Sequence, residues 1–162
     1  GGGTWSNLRS KFRTSERCVE ASCSDTKAAA AAPGAGAPPP DRAEIGRATW
    51  RYLHAMAASY PAKPAAEEQA GAQQWLLSFL RLYPCSHCAE GFMDVCEAMP
   101  PTMGSRNEYA LWWCEAHNKV SVDHVGNEPR RCDLAQLVSD ATRSGMTLDE
   151  LSSRSAVALS AE

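Results

Sequence analysis

The sequence has no apolar run approaching the roughly 18 residues that a membrane-spanning helix needs, so no segment is expected to cross a bilayer. It also lacks period-two alternation. No stretch reads as a half-buried strand, and without strands there is no βαβ unit. It has no concentrated basic surface. There are 16 Lys and Arg against 19 Asp and Glu, the net charge is -3, and both signs are scattered along the chain. That argues against nucleic acid as the main partner, because phosphate binding needs clustered positive charge. A charged-then-apolar leader is missing too. No secretory signal is visible, and the secretory pathway is the less expected location.

What remains among 162 residues is one helical domain with appendages. The first 40 residues do not read as a core, and residues 1–40 are taken as a disordered N-terminal arm. Trp5, Leu8 and Phe12 interleave there with Arg9, Lys11 and Arg13. Residues 28–40, AAAAAPGAGAPPP, form a linker of small residues stiffened by Pro38, Pro39 and Pro40. The domain proper is expected over 41–144, followed by a tail, 145–162, of no assigned role.

Within the domain the apolar spacing is helical. Asp41 and Glu44 have capping-box spacing ahead of Ile45, Thr49, Tyr52, Leu53 and Met56. Pro61 and Pro64 break that helix. A second, with Glu67 and Glu68 in its first turns, carries Trp75, Leu76, Phe79, Leu80 and Leu82 and stops at Pro84. A third begins at Cys85 and runs to about Ala98. A fourth, capped by Ser105 and Glu108, carries Leu111, Trp112 and Val120 before Gly126 stops it. After Cys132 a weaker fifth holds Leu134, Leu137 and Val138 and ends near Gly145. Thr147 and Glu150 have the spacing to cap one last short turn. The expected fold is all-α: a four-helix bundle plus a short fifth helix.

The seven cysteines carry the chemistry. Cys85 and Cys88 form a C-x2-C pair at the start of a helix. There the unsatisfied N–H groups and the positive end of the dipole stabilise a thiolate, and the second sulfur lies one turn on. Such pairs make reversible, reactive disulfides. The alternative is a structural zinc site completed by Cys114 and His117, although no second tight ligand pair accompanies it. A thioredoxin-like reading fails for want of βαβ context. Cys114 and Cys132 read as a staple, with two unrelated buried thiols as the plainer alternative. Cys18 and Cys23 form a tethered C-x4-C pair, and Cys96 reads as a free core thiol.

From Asp41 to Cys132 the residues also come in a distinctive order. Gly46-Arg47-Ala48-Thr49-Trp50 is followed by Leu53-His54 and Ala57-Ala58-Ser59-Tyr60-Pro61. Then come Tyr83-Pro84-Cys85-Ser86-His87-Cys88 and Cys114-Glu115-Ala116-His117-Asn118-Lys119-Val120. This order resembles the Erv1/ALR family of FAD-linked sulfhydryl oxidases. The resemblance implies a helical bundle around FAD, a homodimer, and disulfide formation in protein thiols. It implies Cys85 and Cys88 as the catalytic pair, with Cys88 nearest the cofactor and Cys85 meeting incoming electrons. It makes Cys114–Cys132 a structural disulfide and Cys18–Cys23 a shuttle disulfide. Gly46, Arg47, Trp50, His54 and Tyr60 would line one side of the cofactor. Cys114, His117, Asn118, Lys119 and Val120 would contact the other, with no metal. Partners would be reduced cysteine-containing proteins or an import oxidoreductase, with oxygen or cytochrome c as acceptor. The expected location is the mitochondrial intermembrane space. The C-x4-C spacing is similar to that of plant and protist members, and residues 145–162 match no familiar pattern.

Overall fold

The computed structural model describes residues 3–12 and 40–142. The C-x4-C pair, most of the Ala/Pro linker and the tail 145–162 lie outside the described residues. The described residues form helices and no strand: α1 (Leu8–Lys11), α2 (Arg42–Ser59), α3 (Ala66–Leu82), α4 (Ser86–Ala98), α5 (Arg106–Val120) and α6 (Leu134–Thr142). A single π turn, Ser121–Val125, extends α5.

Each boundary has a local cause. Asp41 caps α2 reciprocally: its carboxylate accepts the Glu44 N–H at 2.7 Å, and the Glu44 side chain accepts the Asp41 N–H at 2.9 Å. At α3, Glu68 reaches back to the Ala65 N–H at 2.7 Å. Ser105 Oγ accepts the Glu108 N–H at the start of α5. The π turn ends at Gly126, whose φ of 73° is left-handed and favours glycine. The Asn127 N–H then donates back to the Ser121 carbonyl at 3.1 Å.

Helices α2 to α5 form the bundle. α2 packs on α5 and α6, while α4 bridges α5 and α3. Leu53, Leu76, Leu80, Met93 and Trp113 are fully buried between them. Each such side chain contributes about 2 kcal/mol by leaving water. Trp112 is buried in the core, its indole N–H donating to the Met99 carbonyl at 2.8 Å. The four-plus-one architecture expected from the sequence is present.

The first part of the arm behaves differently from the expectation. Residues 3–12 are seated against the bundle, with Leu8 0 % exposed and Trp5 and Phe12 packed on the core. The segment is short, but its three large apolar side chains lie on one face. Their burial against the bundle offsets the cost of ordering it.

Candidate functional site

Cys85 is the N-cap of α4, and its Sγ accepts the Cys88 N–H at 3.2 Å. The two cysteines are disulfide-bonded, as are Cys114 and Cys132. Four sulfurs are thereby engaged with one another and are not thiolate ligands, which removes the basis of the zinc alternative. Among the described residues no three His, Cys, Asp or Glu side chains gather as a metal site. Cys96 is a free thiol, fully buried in α4. Burial first, then the nearby Glu97, pushes its pKa up to about 12.

The two sulfurs of the C-x2-C pair have different surroundings. Cys88 is exposed and opens onto an apolar cleft of about 250 Å³. α2 lines it with Gly46, Trp50 and Leu53, α4 with Cys88 and Phe92, and α5 with Val120. Cys85 is 5 % exposed, so an incoming thiol reaches it only after its cover shifts.

Trp50 connects the cleft to a second cluster. Its indole stacks on the His117 ring, centroids 4.1 Å apart and planes 11° from parallel. His117 Nδ1 lies 3.0 Å from His54 Nε2. Burial lowers the pKa of His54, with Arg130 adding to the effect. Burial, then His54, then Arg130 lower that of His117 to about 4. Near neutral pH both rings are therefore uncharged, one donating and the other accepting.

Asn118, on the next position of α5, pins the following loop. Its amide donates to the Arg130 carbonyl at 2.7 Å and accepts the Arg130 N–H at 2.8 Å. The Cys114–Cys132 disulfide fastens the same loop to α5. Lys119 pairs with Asp123 at 2.9 Å on the surface.

Gly46, Trp50, Cys88 and Val120 thus meet at the cleft, and His54 and His117 meet beside Trp50. Cys114, Asn118 and Lys119 are engaged instead with Cys132, Arg130 and Asp123, and Arg47 and Tyr60 also lie off the cleft wall. Tyr60 lies 14 residues beyond Gly46, about 21 Å along α2. Its hydroxyl donates to the Met103 carbonyl at 3.1 Å, so it braces the core. Arg47 is exposed and outside the cleft, while Arg42 contributes to the wall in its place. Helical spacing explains the exchange: 42, 46, 49, 50 and 53 share one stripe of α2, and position 47 is about 100° off Gly46. Carrying that stripe outward from Gly46 and Trp50 would have found Arg42, Thr49 and Leu53. Phe79, Leu80 and Tyr83 of α3 and Phe92 of α4 carry no such signal, because their spacing reads equally as ordinary core.

The geometry defines a class: a helical bundle with a disulfide at a helix N-terminus, one sulfur facing an apolar, aromatic-walled cleft. The Erv1 / Alr family model matches residues 47–140. The chain belongs to the Erv1 / Alr family. It is 43% identical over 83 residues to the mitochondrial FAD-linked sulfhydryl oxidase ERV1 of Saccharomyces cerevisiae, covering 51% of this chain and 44% of that protein. It is 42% identical over 97 residues to the mitochondrial FAD-linked sulfhydryl oxidase erv1 of Schizosaccharomyces pombe, covering 59% of this chain and 53% of that protein. The matches thus span about half the length of these relatives. The crystal structure of the yeast Erv1 core superimposes with a TM-score of 0.60 at 31% identity, covering 75% of this chain and all of that one.

Proposed function

We propose that this protein is an FAD-dependent sulfhydryl oxidase that forms disulfides in protein thiols through Cys85 and Cys88. The position of Cys88 carries the reading: it is half of a reversible disulfide, and it lies on the wall of a cleft built for a flat apolar ring.

The cleft fits a flavin on three counts. Its walls are aromatic and aliphatic, as a ring system needs. Cys88 stands on one wall, within the cavity rather than behind it. Gly46 stands on the opposite helix, and a Cβ added there would meet no protein atom within 4 Å. A helical glycine costs about 1 kcal/mol relative to alanine, and packing within this chain does not account for it. A ring lying against the backbone does. Gly46, Trp50, Cys88 and Val120 would hold the ring. Trp50 with His54 and His117, and Asn118 and Lys119 beyond them, would hold the adenosine end. When bound, FAD supplies the two-electron acceptor that protein side chains lack.

The chain's own residues do the thiol chemistry. A substrate thiolate attacks Cys85 Sγ, the Cys85–Cys88 bond breaks, and Cys88 leaves as a thiolate facing the cleft. The N-terminus of α4 stabilises that charge. A second substrate thiolate then resolves the mixed disulfide and leaves Cys85 reduced. The substrate has lost two electrons and gained a disulfide, and the protein pair has been reduced to two thiols. Bound FAD would accept the two electrons held by the reduced Cys85 and Cys88, with oxygen or cytochrome c as the final acceptor.

Cys18 and Cys23 act as a shuttle between bulky protein substrates, or an import oxidoreductase, and Cys85. The protein acts as a homodimer. An apolar face on α2 and α3 supports this, with Ile45, Trp75 and Phe79 beside Tyr52 and Leu82, which are 55 % and 74 % exposed. A second copy of the same face would cover it. The names of the two fungal relatives support a mitochondrial location, and we place it in the intermembrane space.

The test is oxygen consumption by the FAD-loaded protein with dithiothreitol as substrate. Cys88→Ser and Cys85→Ser should each lower turnover at least about 1000-fold while bound flavin is retained. Turnover persisting in either variant would remove the pair from the reaction.

A further inference from the structure

Residues 3–12 are held by a specific face of α4. Glu90, Asp94 and Glu97 fall at i, i+4 and i+7, so they line one side of that helix. The Leu8 N–H donates to Glu97 Oε1 at 2.5 Å. The Arg9 guanidinium donates to Asp94, with Nε at 2.7 Å from Oδ1, and its Nη1 lies 3.4 Å from Glu90 Oε2. Leu8 is fully buried beneath these contacts. The Phe12 ring lies under the Arg81 guanidinium at the end of α3, 5.5 Å from its carbon.

The order of these contacts gives a direction. Residue 8 meets position 97, residue 9 meets 94 and 90, and residue 12 meets 81. The segment therefore runs antiparallel to α4, toward the helix end that carries Cys85 and Cys88. Glu90 is two residues past Cys88, and Arg81 is four residues before Cys85.

We propose that this acidic, apolar face of α4 is a docking groove whose occupant is the chain's own Trp5–Phe12 segment, and that docking positions the shuttle cysteines at the redox pair. The proposal rests on the shuttle reading of Cys18 and Cys23. Six residues separate Phe12 from Cys18, a span of at most about 20 Å. From the other side, Cys23 is 17 residues from Pro40, where the bundle begins. Seating Phe12 therefore shortens the nearest tether from 17 residues to six. Local concentration falls roughly as the -3/2 power of tether length, so docking raises it about fivefold. Leu8 and Arg9 are positioning residues that touch neither substrate nor cofactor. The basic and apolar character of the segment matches the acidic groove, which sets the docking sense and register.

The experiment uses the full-length, FAD-loaded protein and four variants: Arg9→Glu, Leu8→Asp, Arg9→Glu with Asp94→Arg, and Cys18→Ser with Cys23→Ser. Turnover is measured with dithiothreitol and with reduced, unfolded ribonuclease. Docking is read separately from the rate of trypsin cleavage after Lys11. Arg9→Glu and Leu8→Asp should speed cleavage, lower ribonuclease turnover about fivefold and leave dithiothreitol turnover unchanged. The charge-swapped pair should restore both cleavage protection and ribonuclease turnover. If Leu8→Asp loses dithiothreitol turnover it has damaged the bundle, and the exposed Arg9→Glu change decides. Faster cleavage with unchanged or raised ribonuclease turnover, while the cysteine variant abolishes that turnover, would overturn the positioning role and leave the shuttle standing. Unchanged cleavage in both single variants would overturn the docking. Full ribonuclease turnover in the cysteine variant would instead remove the shuttle reading itself.

Discussion

Gly46 and His117 show how single residues report on the cleft. Gly46 sits inside α2 at a cost in helix propensity, with open space where its side chain would be. Replacing it by leucine improves propensity by close to 1 kcal/mol but fills the cleft. FAD-free Gly46→Leu should melt no lower than the wild type, while its FAD affinity falls at least about tenfold, the equivalent of 1.4 kcal/mol of overpacking. Calorimetry and flavin-fluorescence titration check the two halves. His117 makes a pH prediction. Its folded pKa is lowered to about 4 from an ordinary 6.5. Between those values the unfolded chain binds more protons than the folded one, so stability falls as pH drops from about 6.5 toward 4. Urea midpoints of wild type and His117→Gln at pH 7 and 4.5 should show the smaller pH dependence in the variant. An equal dependence would mean that other groups carry it. The Cys85–Cys88 disulfide is legible in the sequence because C-x2-C spacing at a helix start sets the two sulfurs one turn apart. Arg47 and Tyr60 lie off the wall of the apolar cleft, a placement the motif does not reveal, because a motif gives order along the chain and not the face of a helix. The His54–His117 contact joins residues 63 positions apart, so no local pattern reveals it.

At the scale of elements, the helices follow from their punctuation. Asp41 with Glu44, Ser105, the prolines and Gly126 mark ends that the structure reproduces. Their signals are local, which is why they can be read without tertiary information. α1 escapes sequence reading for the opposite reason. Trp5, Leu8 and Phe12 have the i, i+3, i+7 spacing of a helix face, but four residues of helix are not stable alone. Contacts with α4 and the end of α3 make the segment ordered, and the low-complexity stretch after it makes the whole arm look unpacked. The segment from Cys114 to Cys132 makes an element-scale prediction. The disulfide closes a span of 18 residues, which by chain entropy contributes about 3 kcal/mol. Cys114→Ser with Cys132→Ser should lower the urea-extrapolated stability by about that much and free the loop that Asn118 holds. A loss below about 0.5 kcal/mol would show that the two Asn118 hydrogen bonds suffice without the sulfurs.

For the whole molecule, the outer face of α2 and α3 and the inner cleft share a wall. Thr49 and Phe79 border both the cleft and the apolar outer face. Dimerisation and cofactor binding should therefore reinforce each other, since ordering one side of these helices reduces the cost of ordering the other. Sedimentation velocity should give twice the monomer mass. Leu82→Glu, which places a charge on the 74 % exposed position, should shift the protein to monomer. A monomeric wild type would place another partner on that face. The most direct measurement on the protein as a whole is its visible absorption spectrum, taken before and after anaerobic addition of dithiothreitol and again after readmission of air. A flavin spectrum that bleaches with the thiol and returns with oxygen is the result expected of a flavin-linked thiol oxidase. A protein that is colourless and takes up no FAD on reconstitution would contradict that function and leave the Cys85–Cys88 disulfide without an electron acceptor.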